Sequence, residues 1–177
     1  MPSDSHRLFF ALLPDDALRD ALHAAASGLA PFDPPARRVQ AAKLHLTLHF
    51  LGAWPDHPAR AVAACEHAAA AVDCMAFHLV VDHAGGFAAS RVGFLAPSGN
   101  SGLDALWSAL GHALDDAGVQ RTASETFTPH VTVARAVRGR VENHPIEPLS
   151  WPVADFALVH SRAGSYTVLG RWPLRTA

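Results

Sequence analysis

The sequence of 177 residues has only two cysteines, Cys65 and Cys74, and they are not spaced as a C-x-x-C pair. One falls within a predicted helix and the other just after it, so the sequence predicts neither a disulfide framework nor a cysteine zinc site. We interpret both as small buried hydrophobic residues.

Long apolar runs are also missing from the sequence. No stretch approaches the roughly 20 residues that a membrane-spanning helix needs, and the first apolar stretch, residues 8–13, is too short for the core of a signal peptide. We therefore expect a cytoplasmic protein that does not contact membranes.

Charge is scarce: charged residues make up 17% of the chain, and the formal net charge is −2. A protein that coats a long polyanion needs a large basic face, so any contact with nucleic acid should be local. Half of the residues are hydrophobic, which is typical of a folded protein. The length favours one domain over residues 1–177, and we expect a monomer.

Apolar periodicity predicts that a strand, a helix and a further strand occur in each half of the chain. Helices are predicted at 14–28, 58–72 and 101–118, the last with a leucine stripe that we assign to the core. Residues 30–39 contain three prolines and are predicted to be a loop. Strands are predicted at 7–13, 44–51, 77–81, 91–95, 128–134, 156–161 and 166–172.

The most informative pattern is a His-x-Thr-x tetrapeptide that occurs in a predicted strand of each half, as HLTL at 45–48 and HVTV at 130–133. Side chains alternate between the faces of a strand, so the histidine and the threonine of each motif share one face and the aliphatic residues share the other. Strict alternation also puts His49 on the face of His45. The repetition indicates one duplication and two similar lobes that face each other.

Two facing histidines can act as a general base and a general acid, because an imidazole with a pKa of about 6.5 exists in both forms near neutral pH. The two threonine hydroxyls could hold the non-bridging oxygens of a phosphate between the rings. The sequence therefore predicts chemistry at phosphorus that needs neither a metal nor a cofactor.

Two other interpretations stay open at this point. A metal site could use His45, His49 and His130, although neither motif contains Cys, Asp or Glu and a metal site gives no reason for the recurring threonine. The cleft could also bind a phosphate or an RNA end without turnover.

Basic residues cluster next to both motifs, and they indicate either solvated loop charge or a small funnel for anions. They are Arg37, Arg38 and Lys43 before the first motif, and Arg135, Arg138 and Arg140 after the second.

The segments RLFFAL, KLHLTLHFLG and FTPHVTVAR, with Ser161, Tyr166 and a WPL tail, match a known family. The chain resembles the two-histidine phosphoesterase superfamily and, within it, the RNA 2′,3′-cyclic phosphodiesterases, also called 2′-5′ RNA ligase-like proteins. This resemblance implies two similar α+β lobes with pseudo-twofold symmetry around a central cleft. Each lobe would be a mainly antiparallel sheet with helices packed outside.

The resemblance also implies the function and the site residues. The substrates would be RNA ends or small cyclic nucleotides that bear a 2′,3′-cyclic phosphate, hydrolysed to a 2′-phosphate, with weak reverse 2′-5′ ligation as a secondary activity. The implied residues are His45 and His130 for catalysis, Thr47, Thr132 and Arg135 for phosphate, and Phe50 for the nucleotide. Strict alternation places Phe50 and Arg135 on the faces opposite their histidines, so either the strands twist, bulge or end there, or these two residues are structural.

Overall fold

A computed structural model describes residues 5–32, 35–121, 126–139 and 141–176. Within these ranges the chain forms nine strands and three α-helices, with short 3₁₀ turns at Ala30–Phe32 and Ala41–Lys43. The helices are α1 (Asp16–Ser27), α2 (Ala59–Ala70) and α3 (Ser101–Asp116). The strands are β1 (His6–Leu12), β2 (Arg37–Arg38), β3 (Leu46–Trp54), β4 (Phe77–Phe87), β5 (Val92–Pro97), β6 (Val131–Arg135), β7 (His144–Val153), β8 (Asp155–Arg162) and β9 (Ser165–Pro173).

The strands form one antiparallel sheet in the order β7-β4-β5-β6-β3-β1-β8-β9, with β2 paired to β6. The sheet consists of two four-stranded halves that meet where β3 lies beside β6. Leu46 pairs with Val131 at this junction, and these are the second residues of the two His-x-Thr motifs. An approximate twofold axis through this pair exchanges the motifs, so the predicted α+β architecture with two similar halves is confirmed.

The helices pack on the sheet through apolar stripes. Helix α1 begins after Asp15, whose side chain accepts a hydrogen bond from the Leu18 amide at 2.8 Å, and it packs against β6 and β7. Helix α3 packs against β3, β4 and α2. The four leucines of its predicted stripe, Leu103, Leu106, Leu110 and Leu114, are all buried.

The observed strands differ from the predicted ones, and β2 lies within the predicted loop 30–39. Strand β7 was not predicted, because Pro145, Pro148 and Pro152 argue against a strand; it is tolerated at the edge of the sheet, where one side needs no ladder hydrogen bonds. Strand β4 is longer than the predicted strand at 77–81, since it continues through Gly85 and Gly86 to Phe87. In the described residues, no helix is both long and apolar enough to cross a bilayer. A single domain, a monomer and a cytoplasmic location stay predictions.

Candidate active site

The two motif histidines lie at the centre of the sheet, where its two halves join. His45 immediately precedes β3 and His130 immediately precedes β6, and the neighbouring residues Leu46 and Val131 pair across the junction. The fold therefore brings the two motifs side by side in antiparallel orientation, although they are far apart in the sequence.

Each motif strand contains a β-bulge at the fourth residue of its tetrapeptide. Two consecutive residues of β1 pair with Thr47 and His49, so Leu48 between them is the extra residue of the bulge. Two consecutive residues of β5 pair with Thr132 and Ala134, so Val133 is the extra residue there. A bulge puts two residues against one, so the alternation of faces shifts by one position beyond it.

The bulges resolve the conflict over Phe50. Leu48 and His49 are consecutive and are both buried, at 4% and 5% exposure, whereas Phe50 is 39% exposed. Phe50 therefore returns to the face that carries His45 and Thr47. Strict alternation is wrong beyond the bulge.

The same shift holds in β6, where Val133 and Ala134 are both buried and Arg135 is exposed. Arg135 therefore lies on the face of His130 and Thr132. The prediction that the strands could bulge at these places is confirmed.

Contacts from distant parts of the chain satisfy the carbonyl groups of the two bulged residues. The indole N–H of Trp107 in α3 donates to the Leu48 carbonyl at 3.1 Å. The backbone N–H of Val39 donates to the Val133 carbonyl at 2.8 Å. Because a buried carbonyl without a partner is costly, these contacts stabilise the bulges.

The alternating pattern predicted that His49 shares the face of His45. In the structure His49 lies on the opposite face. Its Nε2 donates to the Trp107 carbonyl at 2.9 Å, and its ring stacks on the Trp107 indole with centroids 5.2 Å apart. Burial lowers the pKa of His49, the hydrogen bond to Trp107 offsets part of this effect, and the charge of Arg121 lowers it further. His49 is thus a packing residue beneath α3, which also removes it from the predicted metal-site alternative.

The two motif histidines make equivalent hydrogen bonds. Nδ1 of His45 donates to the Lys43 carbonyl at 2.7 Å, and Nδ1 of His130 donates to the Thr128 carbonyl at 2.8 Å. A carbonyl can only accept, so these contacts place the neutral-state proton on Nδ1 in both rings. Nε2 is then the nitrogen of each ring that can take up or release a proton.

Aromatic rings surround both histidines. Phe9 stacks on His45 with centroids 4.8 Å apart, and Tyr166 contacts the same imidazole edge-on at 5.6 Å. Phe87 contacts His130 edge-on at 4.9 Å, and Phe94 lies 5.8 Å from it. Both imidazoles are therefore partly shielded from water and restricted in rotation.

The two rings and Arg135 are close enough to influence one another. Burial lowers the pKa of His45, its hydrogen bond to Lys43 offsets part of this effect, and the charges of Arg135 and His130 lower it further. Burial also lowers the pKa of His130, against the effect of its hydrogen bond to Thr128, and Arg135 adds to the lowering. Both imidazoles are therefore mainly neutral at pH 7 before an anion binds.

A cavity of about 610 Å³ opens beside His45. Thr132 and Arg135 of β6 also line it, so the cavity contacts both halves of the sheet. The predicted site residues His130, Thr47 and Phe50 lie outside its lining. Thr47 is the counterpart of Thr132 across the approximate axis and pairs with Ala11 of β1. A separate cavity of about 530 Å³ lies where α1 meets β7, and none of the predicted site residues lines it.

Most of the predicted basic residues lie at the cavity. Its lining includes Arg37, Arg38, Lys43 and Arg135. Arg138 is exposed and lies outside this lining, and the predicted Arg140 falls outside the described residues. In the described part of the chain, no cluster of three or more His, Cys, Asp or Glu is arranged to hold a metal ion.

The sequence interpretation assigned no role to Phe9 and Tyr166, which flank His45, or to Arg7, which lines the cavity. The signal for two of them lay in the sequence of β1, where alternation puts Arg7 and Phe9 on one face and Leu8 and Leu12 on the other. Tyr166 belongs to the tail that carried the resemblance, but no spacing rule placed it near His45.

Comparisons with known proteins agree with this geometry. The profile of the 2′-5′ RNA ligase superfamily matches residues 14–164. An RNA 2′,3′-cyclic phosphodiesterase of Thermus thermophilus is 30% identical over 181 residues, which covers 96% of this chain and 90% of that protein.

Solved structures give the same result. E. coli LigT in its apo form superposes with a TM-score of 0.78 at 31% identity, over 97% of this chain and 98% of that one. LigT in complex with 3′-AMP superposes with a TM-score of 0.77 at 31% identity, over the same shares of both chains.

Proposed function

Because the chain belongs to the 2′-5′ RNA ligase superfamily of two-histidine phosphoesterases, we propose that it hydrolyses 2′,3′-cyclic phosphates at RNA ends to terminal 2′-phosphates. The observation that carries this proposal is the pair of imidazoles at the junction of the sheet. Each donates Nδ1–H to the carbonyl two residues earlier, and the charge of His130 contributes to the lowered pKa of His45. The Thermus relative bears the name of this activity, and LigT has been solved with a nucleotide.

In the proposed reaction the two histidines have complementary protonation states. Nε2 of one neutral imidazole removes a proton from water, whose oxygen attacks phosphorus. The bond from phosphorus to the ribose 3′ oxygen breaks, and the other, protonated imidazole gives its proton to that oxygen. The product carries a 2′-phosphate and a 3′-hydroxyl, and one proton has passed from one histidine to the other.

Thr47, Thr132 and Arg135 hold the phosphate in this proposal. The two hydroxyls donate to the non-bridging oxygens, and the guanidinium balances the negative charge that builds up on them during attack. Phe50, exposed on the same face, offers a surface on which the terminal base can stack. In the reverse direction a 5′-hydroxyl replaces water, which gives weak 2′-5′ ligation as a secondary activity.

The test is turnover of defined substrates in the presence of a chelator. The purified protein is incubated with adenosine 2′,3′-cyclic monophosphate and with an oligonucleotide that ends in a cyclic phosphate, and phosphorus NMR identifies the product isomer. We expect the 2′-phosphate from both substrates. A 3′-phosphate product, or no hydrolysis of either diester, would contradict the proposal.

A matched pair of variants excludes a contaminating nuclease. His45→Gln removes a proposed catalytic imidazole, whereas His67→Gln changes an exposed histidine of α2. Activity should disappear from the first preparation and remain in the second, and equal activity in both would indicate that another protein is responsible.

A further inference from the structure

The cavity beside His45 contains more positive charge than one cyclic phosphate requires. Five cationic side chains line it, and its lining in the described residues contains neither Asp nor Glu. A cyclic phosphodiester has a single negative charge, and the proposed function already assigns Arg135 to it. The four further cations are Arg7, Arg37, Arg38 and Lys43.

Two of the arginines face each other across a strand pair. Strand β2 consists of Arg37 and Arg38 alone, and its pairing places Arg37 directly opposite Arg135 of β6. Like charges in this arrangement are destabilising when nothing lies between them. A bound anion would turn the repulsion into attraction for both side chains.

The cavity cations also differ from the four surface arginines that form ion pairs. Arg19, Arg121, Arg171 and Arg175 are each paired with an aspartate. Within the described ranges, no carboxylate is recorded as an ion-pair partner of Arg7, Arg37 or Lys43, although the chain as a whole has more acidic than basic residues. These three cations therefore keep their charge available to a ligand.

The cations lie on the His45 side of the reacting centre. Lys43 is two residues before His45, and its Nζ lies 3.8 Å from where a Cβ on Gly164 would be, so it reaches to the turn between β8 and β9. Arg7 of β1 pairs with Ser161 of β8. The charges of Arg7 and Arg135 both act to lower the pKa of Tyr166, against the larger effect of burial, and the Tyr166 ring contacts His45. An anion bound among them would therefore lie in the same cavity as His45.

We propose that Arg7, Arg37 and Lys43 form a second phosphate subsite, which binds the phosphate on the O5′ of the terminal ribose. This inference rests on the proposed function and narrows its substrate class. The preferred ligand is an RNA end, whose internucleotide phosphodiester supplies that group, and a nucleoside cyclic monophosphate, which lacks it, should bind less tightly. Guanidinium groups suit this role because they bind two oxygens of one phosphate at once.

A binding experiment tests the proposed subsite without requiring turnover. Calorimetric titration compares adenosine 2′,5′-bisphosphate with adenosine 2′-monophosphate, which differ only in the 5′-phosphate. We expect the bisphosphate to bind at least about tenfold more tightly to the unmodified protein, as one charge-assisted hydrogen bond would give. Equal dissociation constants for the two ligands would overturn the inference.

Single-residue variants test whether the difference in affinity depends on the residues of the proposed subsite. The ratio of the two dissociation constants should fall towards one in Arg37→Gln and in Lys43→Gln, and it should be unchanged in Arg60→Gln, an exposed arginine of α2. Because Arg37→Gln removes a like-charge contact, its melting temperature should equal or exceed that of the unmodified protein. A ratio that falls equally in all three variants would mean that net charge, not a subsite, is responsible, and would reject the proposal.

Values of kcat/KM for three substrates test the second subsite separately from the proposed function. They also show which kind of ligand supplies the phosphate that the subsite binds. The substrates are adenosine 2′,3′-cyclic phosphate without a 5′-phosphate, the same nucleotide with one, and a dinucleotide that ends in a cyclic phosphate. A higher kcat/KM for the last two supports an RNA end, whereas a gain with the 5′-phosphorylated nucleotide alone overturns that source. No turnover of any substrate with the binding preference intact would reject the proposed function and keep the subsite. Turnover of all three substrates with equal kcat/KM, together with equal binding of the two nucleotides, would reject the subsite and keep the proposed function.

Discussion

Removal of the two threonine hydroxyls, one at a time, tests whether both motifs hold one phosphate. Valine keeps the β-branched shape of threonine, and both residues are half-buried in strands, so Thr47→Val and Thr132→Val should leave the fold intact. A hydrogen bond to a charged group contributes about 1.5–3 kcal/mol. Its loss in the transition state corresponds to a fall in kcat/KM of roughly 10- to 150-fold.

The assay is initial-rate hydrolysis of a cyclic-phosphate-ended oligonucleotide, with thermal melts of each variant. The two variants should lose similar activity, because Thr47 and Thr132 occupy equivalent positions on either side of the approximate twofold axis. Thr167→Val, on an exposed part of β9, is the matched control and should retain full activity. A loss below threefold in either motif variant, with an unchanged melting temperature, would refute the assignment of that hydroxyl to the phosphate.

Two further predictions concern pH and packing. Burial and nearby positive charge lower the pKa of both His45 and His130, so the state with one ring protonated and one neutral is most populated below pH 6.5. A plot of kcat/KM against pH should therefore have its maximum below 6.5 and fall as pH rises above that value, and a maximum above pH 6.5 would contradict the assignment. A Cβ on Gly93 would collide with the fully buried ring of Phe32, so Gly93→Ala should lower the free energy of unfolding by about 1–3 kcal/mol. Gly99→Ala, where nothing lies within 4 Å of the added carbon, should change it little, and equal stability of the two variants in urea would count against this packing.

The catalytic pair could be predicted from the sequence because its signal is local and occurs twice. A His-x-Thr pattern within an apolar strand fixes which side chains share a face over three residues, and that part of the prediction needs no tertiary information. The structure accordingly places His45 and His130 in equivalent settings, each bonded to the carbonyl two residues earlier.

Beyond the third residue of each motif, the prediction failed because the bulges depend on distant residues. The Leu48 carbonyl bonds Trp107 of α3, and the Val133 carbonyl bonds Val39 of the loop before β3. Neither contact can be read from the strand sequence, so alternation gave the wrong face for His49. The same reason applies to β7, whose place at the sheet edge decides that its prolines are tolerated.

A comparison of single and double histidine variants tests most directly whether the two imidazoles act as one unit on one phosphorus atom. We would measure kcat for His45→Gln, His130→Gln and the double variant on the same cyclic-phosphate-ended oligonucleotide. Loss of a general acid or base costs roughly 10²- to 10⁴-fold, and residues that act together lose little more when both are removed. We expect such a loss in each single variant and about the same loss in the double variant. Single losses that multiply in the double variant, or a single variant that retains full activity, would contradict this expectation.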